Sequence, residues 1–179
     1  MDVVALGELL IDFTENGISS QGNPLFEANP GGAPCNVLAM LTKLGHKTAF
    51  IGKVGNDFFG KQLEDAITEV GIDAAGLLKD DKVHTTLALV HTYPDGDRDF
   101  SFYRNPGADM MLTEEELPEE IIRGAKIFHF GTLSFTHAGI RTASQYAIQC
   151  AKEAGALISF DPNLREPLWE NLEDARKAI

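Results

Sequence analysis

Two adjacent glycines, Gly31 and Gly32, are the part of this sequence best suited to bind a ligand through its main chain. Neither has a Cβ atom, so a ligand can approach the amides closely, and both can adopt positive φ angles. Pro34 follows, and proline is favoured in the first turn of a helix. Asn36 would share that turn, where its amide can donate to and accept from a polyhydroxy ligand. The residues alone also allow a tight turn before a core helix.

Asp12 is a second candidate for ligand binding. The run from Val3 to Phe13 is almost continuously apolar, which predicts a strand buried on both faces of a parallel sheet. Asp12 would emerge close to the carboxyl end of that strand, where open α/β sheets bind their ligands. A carboxylate there can accept hydrogen bonds from sugar hydroxyls. A surface turn aspartate is the alternative.

Three polar residues, Asp161, Asn163 and Arg165, follow a predicted strand over residues 156–160. Placing three such groups at one strand end is costly for structure alone, which indicates a functional role. The planar guanidinium of Arg165 is suited to bind phosphate oxygens through two hydrogen bonds. An Asp-Pro turn with a surface ion pair is the competing interpretation.

A β-hairpin is predicted between residues 83 and 104. Two β-rich runs flank Pro94-Asp95-Gly96-Asp97, a sequence typical of a turn. Phe102 and Arg104 are two residues apart and would therefore share one face of the second strand. Arg104 could bind a hydroxyl, carboxylate or phosphate group, or it could be a solvated arginine on an edge strand. Phe102 could equally pack within the hairpin.

The rest of the chain alternates between strand and helix patterns, which is typical of an α/β fold. Strands are predicted at residues 48–54, 125–131 and 156–160, and helices at 34–44, 58–70, 137–154 and 167–179. Residues 14–29 contain Gly, Ser, Asn and Pro, which predicts a loop with short strands.

Composition argues against several classes of partner. The net charge is −12 and no Lys/Arg-rich run occurs, which disfavours nucleic acid and anionic membranes. The two cysteines, Cys35 and Cys150, suggest no disulfide framework, and we expect a reducing, cytoplasmic protein. The five histidines are scattered, so we expect no metal site within the chain. The amino-terminal residues lack the basic region of a signal peptide.

The run from Gly31 to Gly60, GGAPCN…LG…FIGKVGNDFFG, resembles the first signature of the ribokinase-like (PfkB) carbohydrate kinases, most closely the members that act on fructose. The resemblance implies a Rossmann-like three-layer α/β/α core with a small β-sheet lid, formed by segments at about 13–29 and 83–105. It also implies phosphorylation of a sugar hydroxyl by ATP, with fructose converted to fructose 6-phosphate. The resemblance further implies Mg²⁺ as a cofactor and allows a monovalent cation, K⁺, in the complete protein.

The resemblance assigns roles to the candidate residues. Sugar binding falls to the six residues Asp12, Gly31, Gly32, Asn36, Phe102 and Arg104. A matching D-x-N-x-R run implies that Asn163 and Arg165 reach towards the transferred phosphoryl group or the substrate, with Asp161 supporting them. Lids of this kind sometimes pair, so a homodimer through the lid is an open possibility.

The resemblance extends over residues 1–179 but corresponds to only the amino-terminal half or so of such a kinase. Family members supply the catalytic base from a later Gly-Ala-Gly-Asp run, which this sequence lacks. We therefore expect the base beyond Ile179, an incomplete ribokinase-like domain whose sheet has an exposed edge, and no turnover by this chain alone.

Other functions stay open. A 2-keto-3-deoxygluconate kinase or a ribokinase would share the scaffold, and Arg104 would suit an acidic sugar. A noncatalytic sugar-binding module is an alternative from a different class. A dinucleotide-binding oxidoreductase is remote, because the chain contains no G-x-G-x-x-G motif.

Overall fold

The fold is described by a computed structural model that covers residues 1–93 and 98–179. The strands in these ranges are β1 (Val3–Leu6), β2 (Leu10–Ile18), β3 (Pro24–Gly31), β4 (Thr48–Gly55), β5 (Asp73–Asp80), β6 (Leu87–Thr92), β7 (Arg98–Tyr103), β8 (Ile127–Gly131) and β9 (Leu157–Asp161). The α-helices are α1 (Ala33–Lys43), α2 (Phe58–Val70), α3 (Glu119–Arg123), α4 (Ala138–Glu153) and α5 (Leu172–Ala178). Short 3-10 helices occupy Ala108–Met111, Glu114–Glu116, Thr132–Phe135 and Glu166–Leu168.

A five-stranded parallel sheet in the order β5-β4-β1-β8-β9 forms the centre of the fold. We call it the core sheet. One face packs on α1 and α2 through a cluster that includes Leu38, Phe50 and Leu63. The opposite face packs on α3, α4 and α5 through a cluster that includes Phe128 and Ile140. The result is the predicted three-layer α/β/α core with a parallel central sheet, since parallel strands need helices on both faces.

A second sheet, in the order β3-β2-β6-β7, stands apart from the core sheet, and we call it the lid sheet. It consists of two antiparallel hairpins joined side by side through the parallel pair β2 and β6. Leu10 pairs with Gly31, Ile11 with Leu87, and Leu87 with Tyr103. Both hairpins therefore leave and rejoin the core at the same end of the lid sheet.

The apolar run Val3–Phe13 is not one strand, and that prediction was wrong. The chain forms β1 in the core sheet, breaks at residues 7–9, and continues as β2 in the lid sheet. One apolar run can form two successive strands in different sheets. The hydrophobic pattern is the same on both sides of the break, so the sequence does not reveal where the first strand ends. As a consequence, Asp12 lies on a lid strand and not at the carboxyl end of a core strand.

Other differences concern element length. Residues 14–29, predicted as a loop with short strands, contain most of the hairpin β2–β3. The edge strand β5 was not predicted, and the last helix begins at Leu172 after an Asn171 cap instead of at Pro167. Helices α1, α2 and α4 lie where the apolar spacing placed them. The turn predicted at residues 94–97 lies outside the described residues.

None of the described helices has the length and apolar character that crossing a bilayer requires.

Candidate functional site

A cavity of about 380 Å³ lies where the lid sheet faces the ends of the core elements. This size falls within the range of small-molecule sites, roughly 300–1,000 Å³. Its walls combine polar groups with aromatic and aliphatic ones, as such sites do. The lining residues are Glu8, Leu10, Asp12, Thr14, Asn29, Gly32, Ala33, Asn36, Val90, Phe100, Phe102, Leu133, Asn163 and Arg165.

The two glycines fit tightly against the break between β1 and β2. A Cβ atom on Gly31 would collide with the Asp12 carboxylate, and one on Gly32 would collide with the Glu8 carbonyl oxygen. Gly32 also has a φ angle of 125°, a conformation that residues with a side chain rarely adopt. Gly32 lies on the cavity wall, whereas Gly31 supports Asp12 from outside the lining. Close packing therefore requires glycine at both positions.

Asn36 and Asp12 face the same cavity from different elements. Asn36 lies in the first turns of α1 with its side chain exposed, so its amide is accessible to a ligand. Asp12 lies on β2 and is about half-buried. Burial raises the pKa of Asp12, while the positive charge of Arg165 lowers it. The cavity thus holds a partly desolvated carboxylate close to a cation.

The aromatic wall comes from β7. Phe102 and Phe100 pair with Ala88 and Val90 of β6 on the cavity side of the lid sheet. Their rings lie nearly parallel, with centroids 6.0 Å apart and an interplanar angle of 16°. The Arg165 guanidinium lies 5.3 Å from the Phe100 ring centroid, within the range of a cation–π contact. Arg165 therefore bridges the segment after β9 and the lid sheet.

The segment after β9 is organised by its own polar groups. The main-chain N–H of Asn163 donates to Asp161 Oδ1 over 3.1 Å. The side-chain oxygen Oδ1 of Asn163 accepts a hydrogen bond from Arg165 Nη1 over 2.7 Å. Asn163 has a φ angle of 26°, which asparagine tolerates better than most residues. Asn163 and Arg165 line the cavity, and Asp161 supports them from outside it. The structure therefore brings this group to the same cavity as Asp12 and Asn36.

Arg104 lies away from the cavity, in contrast to the prediction that it shares a ligand-facing surface with Phe102. It follows the end of β7, where strand alternation stops, and its side chain is 3% exposed. Its guanidinium contacts Asp109 at 2.7 Å, and it also donates to the Thr136 hydroxyl and the Leu133 carbonyl. The charge and the donors of Arg104 are therefore satisfied within the protein.

Sequence reasoning missed Glu8, Thr14 and Asn29 on the cavity wall. Asn29 Nδ2 donates to Thr14 Oγ1 over 2.9 Å, which joins the two strands of the first lid hairpin. Glu8 is the only charged residue before Asp12 in the apolar run from Val3, and this was a signal that could have identified it. Asn29 directly precedes Pro30 and the two glycines.

The described residues hold no group of three or more His, Cys, Asp or Glu side chains that could bind a metal ion. Cys35 and Cys150 are both buried thiols. Within the described part of the chain, the polar chemistry at the cavity is therefore that of carboxylate, amide, guanidinium and main-chain groups.

A polar cavity between an α/β core and a β-sheet lid is suited to bind a small ligand. The chain matches the pfkB family carbohydrate kinase description over residues 1–179, and it belongs to that family. It is 48% identical over 179 residues to "Probable fructokinase-3" of Arabidopsis thaliana, covering 99% of this chain and 52% of that protein. It is 49% identical to "Fructokinase" of Solanum tuberosum, covering 99% and 56%.

Solved structures agree with these relatives. The fructokinase of Xylella fastidiosa superposes with a TM-score of 0.91 at 34% identity, covering 99% of this chain and 56% of that one. A structure of Xylella fastidiosa fructokinase with bound ATP superposes with a TM-score of 0.90 at 33% identity, covering 99% and 58%. The chain spans about half the length of the curated relatives it matches.

Proposed function

We propose that this chain is the sugar-binding portion of an ATP-dependent kinase that phosphorylates a sugar hydroxyl, with fructose as the substrate and fructose 6-phosphate as the product. The observation that carries the proposal is the cavity under the lid sheet, whose wall contains Asp12, Gly32, Asn36 and Arg165. The similarity to proteins named fructokinase, at 48–49% identity, supports fructose as the sugar.

In this proposal the sugar lies between the lid sheet and the start of α1. Asp12 accepts hydrogen bonds from hydroxyl groups, and Asn36 both donates and accepts. Gly32 contributes its main chain to the wall, and Gly31 leaves room for the Asp12 carboxylate. Phe102 contacts the apolar face of the sugar ring. Each of these contacts uses a group that already faces or supports the cavity.

Arg165 and Asn163 are the proposed phosphoryl-side residues. ATP supplies the phosphoryl group when it is bound, and a planar guanidinium matches the geometry of phosphoryl oxygens. Asp161 holds Asn163, and Asn163 holds Arg165, so the guanidinium has a defined position. ATP-bound neighbours support ATP as the cosubstrate. Mg²⁺ and K⁺ remain predictions.

Fructose is favoured over an acidic sugar such as 2-keto-3-deoxygluconate because Arg104 is neutralised by Asp109 and is buried. The carboxylate of such a sugar would have to compete for Arg165, which we assign to the phosphoryl group. Ribose is a second neutral candidate. A noncatalytic sugar-binding module would bind the same sugars. It would differ only in forming no ADP after the carboxyl-terminal portion of a kinase is added.

The first experiment is isothermal titration of this chain with fructose, ribose and 2-keto-3-deoxygluconate. We expect binding of fructose and no release of ADP from ATP, because the sequence contains no Gly-Ala-Gly-Asp run. The second experiment adds the carboxyl-terminal portion of a related fructokinase, which should produce ADP only when fructose is present. Fructose binding without ADP formation by the combined protein would select the noncatalytic module, and no binding of any sugar would refute the proposal.

Two further properties belong to the proposed function. A homodimer formed through the lid sheet remains a prediction, and sedimentation of the chain with and without fructose tests it. A cytoplasmic location is proposed from the two free thiols, which are usual for proteins of a reducing compartment. Localisation of a tagged protein in cells tests this second property.

A further inference from the structure

Four passages of chain connect the core to the lid sheet, and the first two contribute Glu8 and Gly32 to the cavity wall. Residues 7–9 join β1 to β2, and Gly31-Gly32 lead from β3 into α1. Residues 81–86 join β5 to β6, and residues 104–107 lead from β7 back to the core. The orientation of the lid relative to the core is therefore set by whatever holds these four passages together.

Two buried carboxyl groups each tie a pair of passages. Asp109 accepts hydrogen bonds from the Thr86 hydroxyl and the Arg104 guanidinium, which joins the third and fourth passages. Glu8 Oε1 accepts a hydrogen bond of 2.9 Å from the Ala33 amide, which joins the first and second passages. The two pairs are connected in turn, since the Ile11 amide donates to the Thr86 carbonyl over 3.1 Å.

Glu8 and the preceding Gly7 contact residues 32–34, the segment that leads to the proposed sugar-binding residue Asn36. The Glu8 carbonyl oxygen lies against Gly32, and the preceding Gly7 lies against the Pro34 ring. Its carboxyl group holds the first amide of α1, the helix that carries Asn36. Glu8 is 4% exposed and lies on the cavity wall. Glu8 thus fixes the position of the second passage from both its main chain and its side chain.

The second carboxyl oxygen of Glu8 is unusual. Within the described residues, Glu8 Oε2 is buried and has no hydrogen-bond partner. A buried polar group without a partner is unfavourable, and a buried negative charge without one is more so. Burial accordingly raises the pKa of Glu8 to about 7, although the hydrogen bond from Ala33 opposes this effect. Asp109 raises the pKa further, and Arg104 lowers it.

We infer that Glu8 is a positioning residue for sugar binding: its carboxyl group holds the Gly32–Ala33 segment and the start of α1 in the geometry that binds the sugar. This inference rests on the proposed function. Ionisation of Glu8 places a charge where it has no partner, and the carboxylate then moves towards water and releases the segment. Fructose binding is therefore coupled to the neutral form of Glu8.

Charged groups from the surrounding elements bear on this coupling. Arg104 of the fourth passage and Asp109 of the 3-10 helix that follows it act on Glu8 through their charges, and Cys35 lies near it on α1. Asp12 and Arg165 line the same cavity. Any of these could add its own pH dependence, so the test compares the chain with a variant in which Glu8 alone cannot ionise.

Titration calorimetry with fructose tests the inference on this chain and on Glu8→Gln, Glu8→Ala and Glu15→Gln. Glutamine keeps the acceptor for the Ala33 amide and has no charge, so Glu8→Gln should bind fructose as the unaltered chain does at about pH 6. Glu8→Ala should bind about tenfold more weakly, because the segment loses its anchor. Glu15 is exposed on the same strand as Asp12, and Glu15→Gln should behave as the unaltered chain.

The decisive readout is the pH profile. Between about pH 6 and about pH 8.5 the affinity of the unaltered chain should fall about tenfold, and that of Glu8→Gln should stay level. Equal pH profiles for the two proteins, or unchanged fructose affinity in a folded Glu8→Ala variant, would overturn the inference. If Glu8→Ala does not fold, the Glu8→Gln profile still decides. Absence of fructose binding by the unaltered chain at any pH would instead contradict the proposed function.

Discussion

Gly31 lies so close to the Asp12 carboxylate that a methyl group at position 31 would overlap Oδ2 of the aspartate. Gly31 pairs with Leu10 and Asp12 pairs with Asn29, so the two residues are diagonal neighbours on β3 and β2, near the core end of the lid sheet. The missing side chain at position 31 leaves room for the carboxylate, and any larger residue there would displace Asp12. The glycine thus acts on the ligand site through Asp12.

Gly31→Ala should therefore weaken fructose binding by displacing Asp12. We expect a loss of at least about tenfold in affinity, comparable to the loss of one charged hydrogen bond. Gly139→Ala is the matched control, because Gly139 is exposed, an added Cβ there meets nothing closer than 3.5 Å, and the residue does not line the cavity. Calorimetry on both variants gives the answer, and an unaffected Gly31→Ala would contradict the close packing.

Asp12→Asn should weaken fructose binding directly. An amide keeps one acceptor oxygen but loses the charge, and hydrogen bonds to charged groups contribute about 1.5–3 kcal/mol against about 1 for neutral ones. The expected loss is about tenfold in affinity. Glu15→Gln, on the same strand and exposed, provides the control. Equal affinities for Asp12→Asn and the unaltered chain would remove Asp12 from the sugar site.

Arg165→Met should raise the pKa of Asp12. The positive charge of Arg165 lowers this pKa in the intact cavity, so removing the charge leaves burial as the dominant influence. A carboxyl-carbon NMR titration of Asp12 measures the change. A pKa that stays constant would mean that the two side chains do not interact across the cavity.

Arg104→Met should reduce stability and leave the cavity walls in place. The variant leaves Asp109 buried without its cation, which costs about 3 kcal/mol of unfolding free energy. Arg123→Met is a useful comparison, since the ion pairs of Arg123 are about half exposed and should contribute less than about 1 kcal/mol. Urea unfolding measures both.

The opposite result would restore the role predicted for Arg104 from the sequence. If Arg104→Met were as stable as the unaltered chain and yet failed to bind fructose, the arginine would belong to the ligand site and not to the lid–core connection.

Glu8 should make stability dependent on pH. Below about pH 4.5 the carboxyl group is neutral in the folded and unfolded states alike. Between 4.5 and about 7 it ionises in the unfolded chain only, so unfolding releases a proton and the folded state loses stability as the pH rises. The full loss amounts to about 3 kcal/mol and is complete above about pH 7.

Urea unfolding of the unaltered chain and of Glu8→Gln across this range isolates the contribution of Glu8. The difference in unfolding free energy between the two proteins should shift in favour of Glu8→Gln as the pH rises. A difference that does not vary with pH would show that Glu8 ionises as readily in the folded state as in the unfolded one.

Much of this fold could be predicted from local patterns. Helix α2 begins at the Asp57 cap and ends at Gly71 in a left-handed conformation, and both residues are recognisable in the sequence. The two glycines before α1 were recognisable because few other residues permit such close packing. These features depend on chemistry within a few positions, which a single sequence contains.

The errors concern features that depend on distant contacts. Nothing local distinguishes Leu6 from Leu10, although the first lies in the core sheet and the second in the lid sheet. Arg104 pairs with Asp109 only 5 residues away, but its other acceptors, Thr136 and the Leu133 carbonyl, lie 32 and 29 residues away in sequence. Glu8 was overlooked because its partner, the Ala33 amide, lies 25 residues away in sequence.

The first lid hairpin leaves and rejoins the core at one end of the lid sheet, where Leu10 pairs with Gly31. Natural variation in the turn between β2 and β3, at the opposite end of that hairpin, can accumulate without disturbing the parallel sheet below. A hairpin exchanged between relatives, cut at Leu10 and Gly31, would be grafted through two adjacent backbone positions. Such an architecture lends itself to the evolution of new sugar preferences by swapping one modular unit.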